Sequence, residues 1–447
     1  MNFSYREVTG VQDIYQAYSL FCDEQGLAFF ESSLPEEKLG RYSFLGLHPY
    51  HQLHGSKKQY EFDGAMYTGN LFEKLRELLA LYQLPERATV QLAVPFPAGC
   101  MCYISYDFAA ENGSGAGKLP ASWFVFYDNL LIFDHQENKL YISACGMLAP
   151  AERSLDTLEQ QLACAVPQPV SPPSSSPAKA TANFSREEYM AAVEKLRHYI
   201  EAGDVYIANM TQTFTAQSAK TSALIYEELR RINPAPFAAR LEFDGISVLS
   251  SSPERFLQVV AGTARTRPIK GTRPRGRTKA EDEKNRQVLL SSEKDKSELL
   301  MIVDLERNDL SRVCRPHTIK VPELFSLEQY STVFHLVAEV TGKLRPGIAA
   351  VDCLEHCFPG GSITGAPKRR AMEIIEELER GERGLYTGCI GYFSLNGNAD
   401  FNIAIRTIVK QGEQLSIGVG GGITWESEAA EEYQETLDKA KALLQVI

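Results

Sequence analysis

Residues 388–419 read GCIGYFSLNGNADFNIAIRTIVKQGEQLSIGV. Three apolar runs, 388–395, 401–409 and 415–419, are separated by Asn396-Gly397 and by a polar segment around Gly412. An Asn-Gly pair suits the left-handed backbone of a tight hairpin turn, so the stretch predicts a three-stranded antiparallel meander. Arg406 falls on the less apolar face of the middle strand. Tyr392, Arg406 and the glycines at 420–422 then share one small sheet, which is how a site for a small acid would be lined.

Past Gly420-Gly421-Gly422, Ser427 reads as a helix cap, and Tyr433, Leu437, Ala440 and Leu444 as the buried stripe of the helix that follows. Glu432 and Glu435 are three apart on it and share a face. Upstream, 292–310 (SEKDKSELLMIVDLERNDL) predicts a second helix with Leu299, Leu300 and Val303 on its apolar side, and Asp295 and Glu298 repeat the spacing of three. Acidic helix faces are most often solvated surface. Two such pairs are also the raw material of a magnesium site, because this hard cation takes one or two carboxylates and keeps several waters. The run at 358–368, FPGGSITGAPK, lacks the Lys-Ser/Thr that must follow the second glycine of a phosphate loop. It reads instead as a glycine-rich turn before a helix at 371–379, whose backbone N–H groups can hold a carboxylate.

The segment 266–272, TRPIKGT, places one lysine between a proline and a glycine just after an expected strand. An ammonium becomes a nucleophile when desolvation or neighbouring cations lower its pKa, and Arg265, Arg267 and Arg273 adjoin Lys270. Between turn residues a lysine is ordinarily a solvated charge. Glu254, in SPERF at 252–256, is read either as a surface partner of Arg255 or, if it faces a closed pocket, as an acid able to deliver a proton at neutral pH.

The 447 residues are 44% hydrophobic with a formal charge of −11, which argues against a nucleic-acid surface. No secretory signal is read at 1–10, and no uninterrupted run of about 20 apolar residues offers a membrane span. The nine cysteines form no paired framework, which suits reduced thiols and a cytoplasmic setting. Cys353, His356 and Cys357 lack a second cluster to complete a metal site and read as core packing. The Pro/Ser-rich stretch 166–183 is expected to link a region at 1–165 to one at 184–447. In the latter, Ser185 and Glu188 form a capping-box pattern at the start of a helix.

Taken in order, SPERF at 252–256, RPIKGT at 267–272, ELLMIVDLERNDL at 298–310, KVPELF at 320–325, FPGGSITGAPK at 358–368, GYFS at 391–394, IRT at 405–407, GGGI at 420–423 and YQET at 433–436 resemble the chorismate-utilising enzymes. The resemblance covers nearly the full length, and within the family it is to the aminodeoxychorismate synthase component I branch. It implies an α+β fold of two antiparallel sheets forming a sandwich with helices outside. It also implies Mg²⁺ on Glu298 and Glu435, with Asp295 and Glu432 supporting its water shell. Tyr392, Arg406, Gly421 and Gly422 are implied at substrate carboxylates, with Lys368 and Thr364 close by. His335, in FHLVAEV, matches the histidine of the family's HLV segment; beside apolar neighbours a histidine is more often simply packed.

Within the family, anthranilate synthase component I typically has alanine where this chain has Lys270. Isochorismate and salicylate synthases use a lysine base at the position of Ile207, and isoleucine cannot remove a proton from water. The implied chemistry is protonation of the departing C4 hydroxyl of chorismate by Glu254, attack of Lys270 at C2, and addition of ammonia at C4. None of the cysteines has the setting of a glutaminase nucleophile, so a separate glutamine amidotransferase subunit is the expected partner. The segments FFESS and GRYSFLG, with Glu31, Ser32, Arg41, Tyr42 and Ser43, resemble a tryptophan-binding region. That feature keeps anthranilate synthase component I as the second reading and a tryptophan-binding regulatory paralogue as a third.

Overall fold

The computed structural model describes residues 2–11, 13–33, 39–85, 94–109, 119–163, 178–330 and 333–447. Most of the expected linker, 166–177, lies outside the described residues.

Among the described residues every strand pairing is antiparallel, and the strands run on as one hydrogen-bonded network. From Ile207–Gln217 it passes through Gln414–Ile423, Thr407–Gln411, Ile246–Ser252, Phe237–Phe243, Ala28–Glu31 and Tyr42–Gly55. It continues through Ser122–Asp134, Gly99–Ile104, Cys389–Ser394, Ala399–Ile403, Arg255–Val260, Thr263–Arg267 and Val333–Lys343. Ala28–Glu31 pairs with Phe237–Phe243 and Gly99–Ile104 with Cys389–Ser394, so strands on either side of the Pro/Ser-rich stretch share one sheet.

Three apolar clusters explain the layering. One, built from Phe44, Phe96, Tyr103, Val125, Leu241, Val248, Ile390, Tyr392 and their neighbours, has no helical residue among its buried members and is enclosed by strands. The helices Ile14–Phe21, Ala151–Ala163, Ser222–Ile232 and Ala429–Val446 bury their stripes on a second, and Leu71–Leu81, Glu293–Ser311 and Ala350–Cys357 on a third. Strands inside and helices outside is the expected sandwich, although its two layers are continuous rather than separate sheets. Cys353 and Cys357 are buried in the third cluster.

The meander needs a correction. Its expected middle strand is two strands, Ala399–Ile403 and Thr407–Gln411, separated by a corner at which Arg406 takes a left-handed backbone, φ 51°. Ala399–Ile403 pairs with Cys389–Ser394 and Arg255–Val260, whereas Thr407–Gln411 pairs with Gln414–Ile423 and Ile246–Ser252. A non-glycine residue at positive φ is uncommon and turns the chain sharply, so the apolar run changes partners without any sequence punctuation. Local helix signals fared better. Ser185 and Glu188 form the reciprocal cap of Arg186–Glu201, at 3.2 and 2.8 Å. Ser427, by contrast, accepts the Thr424 N–H, and the last helix begins after Glu428.

Candidate active site

Lys270 lies on Ile269–Pro274, which pairs with Val333–Lys343 through a bulge between Lys270 and Thr272. Gly271 makes the bulge possible: its φ is 74°, and a Cβ there would stand 2.8 Å from Asp295 Cγ. The lysine stem is thereby aimed at the glycine-rich turn, where Nζ donates to the Ser362 carbonyl at 3.2 Å. Asn209 Nδ2 donates to that same carbonyl at 3.1 Å. Strand Ile207–Gln217 sets Asn209 opposite Gly422. A Cβ on Gly422 would be 3.6 Å from Lys270 Nζ, 3.4 Å from Asn209 Oδ1 and 3.2 Å from Ile207 Cδ1. One on Gly421 would be 3.2 Å from both Glu432 Oε2 and Glu435 Oε1. The two glycines thus form the bare floor between the lysine and the acidic pair of the last helix.

Arg267 and Arg273, which adjoin Lys270 in sequence, spend their guanidiniums on carboxylates elsewhere. Arg267 is buried and bonds Glu328 at 2.9 Å, Glu323 at 2.8 Å and Glu339 at 3.2 Å, and Arg273 bonds Asp295 at 2.9 Å. Extended backbone sends successive side chains to opposite faces, and carboxylates capture the guanidiniums there. The positive charge of Lys270 acts on three carboxylates, Glu254, Glu298 and Glu435.

Glu254 is 7% exposed, in the turn between Ile246–Ser252 and Arg255–Val260. Burial raises its carboxyl above the usual range against the opposing pull of Lys270, the Ser362 hydroxyl and the Ile269 backbone. Burial also lifts Glu298, with the like charges of Asp295 and Glu435 adding to it against Lys270 and Lys294. Burial and Glu435 lift Glu432, against its bond to Ser427. Glu435 goes the other way: burial is outweighed by Lys439, whose Nζ is 2.6 Å from Oε1, and by Lys270 and Lys294. Asp295 and Glu298 on one helix and Glu432 and Glu435 on the other therefore share one electrostatic neighbourhood. Among the described residues, no three His, Cys, Asp or Glu side chains gather closely enough to make a metal cluster.

Other expected residues have different places. Lys368 spends its ammonium on Asp309 at 2.5 Å and on the carbonyls of Cys357 and Pro359 at 2.9 and 2.8 Å, bracing the glycine-rich turn from outside. The buried Thr364 hydroxyl donates back to the Gly360 carbonyl at 2.9 Å. His335 bonds the Thr272 hydroxyl at 2.9 Å, and burial lowers its pKa to about 4. Tyr392 is not at the lysine. It lies in the inter-sheet cluster, stacked on Phe96 at 4.2 Å and edge-on to Phe44 at 5.5 Å.

Tyr386 stands where Tyr392 was expected. Its ring lies on Gly418, where a Cβ would come within 2.2 Å of its Cγ, and the charges of Arg406 and Glu435 act on it. Arg406 donates to the Lys439 carbonyl at 3.1 Å, and burial lowers its pKa. Arg383 was also missed. Its buried guanidinium bonds Glu379 at 2.7 and 2.8 Å, the Ile363 carbonyl at 2.9 Å, the Asn209 carbonyl at 3.1 Å and the Thr387 hydroxyl at 3.2 Å. The four-residue spacing Glu435/Lys439 on the last helix is the signal that would have found Lys439. Glu379 and Arg383 lie beyond the end of the helix Lys368–Leu378, so helix spacing does not mark their pairing. Nothing local marks Tyr386.

A cavity of about 480 Å³ lies apart from Lys270, lined by Glu31, Arg41, Tyr42, Phe44, Arg255, Tyr392 and Asp400 among others. Arg230 and Tyr226 bond Glu31, and Arg41 bonds Asp134 at 2.8 Å. Ser32 and Ser43 are buried behind this lining: the Ser32 N–H donates to Ser43 Oγ at 3.0 Å, and Ser43 Oγ meets His135 at 2.7 Å.

A family model described as chorismate binding enzyme matches residues 29–445, nearly the whole fold and every group at the lysine. The chain belongs to the chorismate binding enzyme family. It is 39% identical to aminodeoxychorismate synthase of Streptomyces pristinaespiralis, over 98% of this chain and 64% of that protein, so it spans under two thirds of that relative's length. It is 37% identical to aminodeoxychorismate synthase component 1 of Bacillus subtilis, over 90% of this chain and 88% of that one. The crystal structure of anthranilate synthase component I from Streptococcus pneumoniae superposes with a TM-score of 0.80 at 28% identity, covering 92% of this chain and 94% of that one. The chain is thus an enzyme that acts on chorismate. Among the described residues no helix is long and apolar enough to cross a membrane.

Proposed function

We propose that this member of the family converts chorismate and ammonia to 4-amino-4-deoxychorismate through a covalent bond to Lys270. The observation that carries the reading is the lysine itself, held at the Ser362 carbonyl over the Gly422 floor with the buried acid Glu254 beside it. The Lys270 amine attacks ring carbon C2 while Glu254 passes its proton to the C4 hydroxyl, which leaves as water. Ammonia then bonds at C4, and the C2–N bond breaks with its electron pair returning to Nζ. Ile207 supports this choice, since an apolar side chain beside the floor offers water no base. In this reading Arg406 and Tyr386 bind a substrate carboxylate.

Magnesium fits the donor set. Glu298 is held up partly by the like charge of Asp295 and Glu435, a repulsion that a divalent cation relieves, and the ion needs only one or two carboxylates beside water and substrate. Glu298 and Glu435 would hold it, with Asp295 and Glu432 ordering its waters, and it would supply positive charge for the ring carboxylate. Glutamine amidotransferase activity belongs in this reading to a separate partner subunit in the cytoplasm. The cavity lined by Glu31, Arg41 and Tyr42 is proposed for a tryptophan effector.

The test is product analysis by mass and by coupled pyruvate assay, with chorismate, Mg²⁺ and ammonium at alkaline pH. The wild type is expected to release no pyruvate and to form a lysine-linked adduct when ammonia is withheld. Lys270→Ala is expected to suppress 4-amino-4-deoxychorismate and to shift residual chemistry toward addition at C2. Abundant anthranilate and pyruvate from the wild type would replace this reading with that of anthranilate synthase.

A further inference from the structure

We infer that the Asn209 carboxamide oxygen, beside Lys270 Nζ over the Gly422 floor, is the binding group for incoming ammonia. The inference rests on the reading just given. Asn209 is fixed on three sides. Its backbone N–H donates to the Thr364 carbonyl at 2.8 Å, its backbone carbonyl accepts from Arg383, and its Nδ2 donates to the Ser362 carbonyl. The last bond orients the amide: with Nδ2 committed to an acceptor, Oδ1 must face the other way. Among the described residues Oδ1 accepts no hydrogen bond, although the residue is largely covered. It is an open acceptor in a wall where neighbouring polar groups are paired.

The space it faces has the size and chemistry of a one-nitrogen ligand. The Oδ1, Nζ and Ile207 Cδ1 atoms all stand 3.2–3.6 Å from the point a Cβ on Gly422 would take, so glycine alone keeps the gap open. Ammonia has three N–H donors and one lone pair. An N–H bonded to Oδ1 turns the lone pair away from the amide and toward whatever ring lies over the floor. Ile207 removes the second polar contact that would hold water as firmly. When the ammonia lone pair forms the bond at C4, the bond from C2 to Lys270 Nζ breaks. The excess proton on the new amine passes to the Glu254 carboxylate, which gave its own to the departing hydroxyl.

The experiment varies ammonium chloride at fixed alkaline pH, with saturating chorismate and Mg²⁺, for the wild type, Asn209→Leu and Asn209→Asp. The leucine variant is expected to raise the KM for ammonia about tenfold or more while the KM for chorismate stays within about threefold. The aspartate variant keeps an acceptor oxygen but loses the donor to the Ser362 carbonyl and adds a charge beside Lys270, so its ammonia KM is expected to fall between those of the wild type and the leucine variant, with kcat lowered. A purely structural role predicts parallel losses in both KM values. An ammonia KM in Asn209→Leu within about twofold of wild type overturns the inference. Asn209→Val supplies a second apolar replacement if leucine is not accommodated, judged by the same KM ratio. Intact-protein mass without ammonia separates the two readings. Absence of a lysine adduct in the wild type counts against the covalent mechanism, while the ammonia KM ratio still decides the role of Asn209.

Discussion

Replacing Arg383 with methionine keeps most of the side chain's bulk and removes all of its donors. The structure makes this a severe change. The Arg383 and Glu379 side chains are only 3% and 6% exposed, so solvent does not screen their pairing. Desolvation pulls the arginine pKa down, but Glu379 outweighs it and leaves the pKa raised, so the guanidinium is charged at any working pH. Methionine would leave the Glu379 carboxylate buried with the Thr211 N–H at 3.0 Å as its remaining hydrogen bond among the described residues. Removing one partner of a buried ion pair costs about 3–5 kcal/mol, because the other charge stays desolvated. Summing the bonds individually, at about 1.5–3 kcal/mol each for charged groups, would overshoot, since bonds sharing one side chain are not additive. Urea unfolding followed by tryptophan fluorescence should therefore give Arg383→Met a loss of about 3–5 kcal/mol. Glu379→Gln/Arg383→Met should recover about 2 kcal/mol of it, because a neutral amide is cheaper to bury. The same arginine ties the glycine-rich turn at Ile363 to Asn209 and to Thr387 beside Tyr386, so the KM for chorismate should rise as well. A loss below about 1 kcal/mol, or a double variant no better than the single one, would refute the view that this pair holds the site walls together.

The two tyrosines should separate cleanly. Tyr386→Phe is expected to raise the KM for chorismate about tenfold by removing one hydrogen bond to a charged group, whereas Tyr392→Phe, in the other cavity, should leave it within about twofold; steady-state kinetics with the reverse ranking would overturn the placement of Tyr386. Glu298→Gln or Glu435→Gln should each abolish turnover at ordinary magnesium with the circular dichroism spectrum unchanged, and partial rescue at high magnesium is expected. Undiminished activity in both variants would remove the metal assignment.

The Glu298 and Glu435 faces were legible in the sequence because a helix converts a spacing of three into adjacency without help from the rest of the chain. Local cap and turn chemistry likewise marked Ser185 and Gly271, whose neighbour Lys270 was singled out by its place between a proline and a glycine and by the arginines near it in sequence. The antiparallel character of 388–419 was readable from alternation and the Asn-Gly turn, yet its partners were not. Alternation says that Tyr392 and Arg406 each have a buried side, but not which layer that side meets. The left-handed corner at Arg406 sends the two halves of one apolar run to different neighbours; Tyr392 lines the inter-sheet cavity, while Tyr386 lies on Gly418 near Arg406 and Glu435. Lys368 and Arg267 were misplaced for a related reason. Each is neutralised by carboxylates that are remote in sequence, Asp309 at 59 residues and Glu328 at 61. Helical spacing and turn chemistry are local and survive in the sequence; the choice of which charge meets which is made by long-range packing, and only the folded chain decides it.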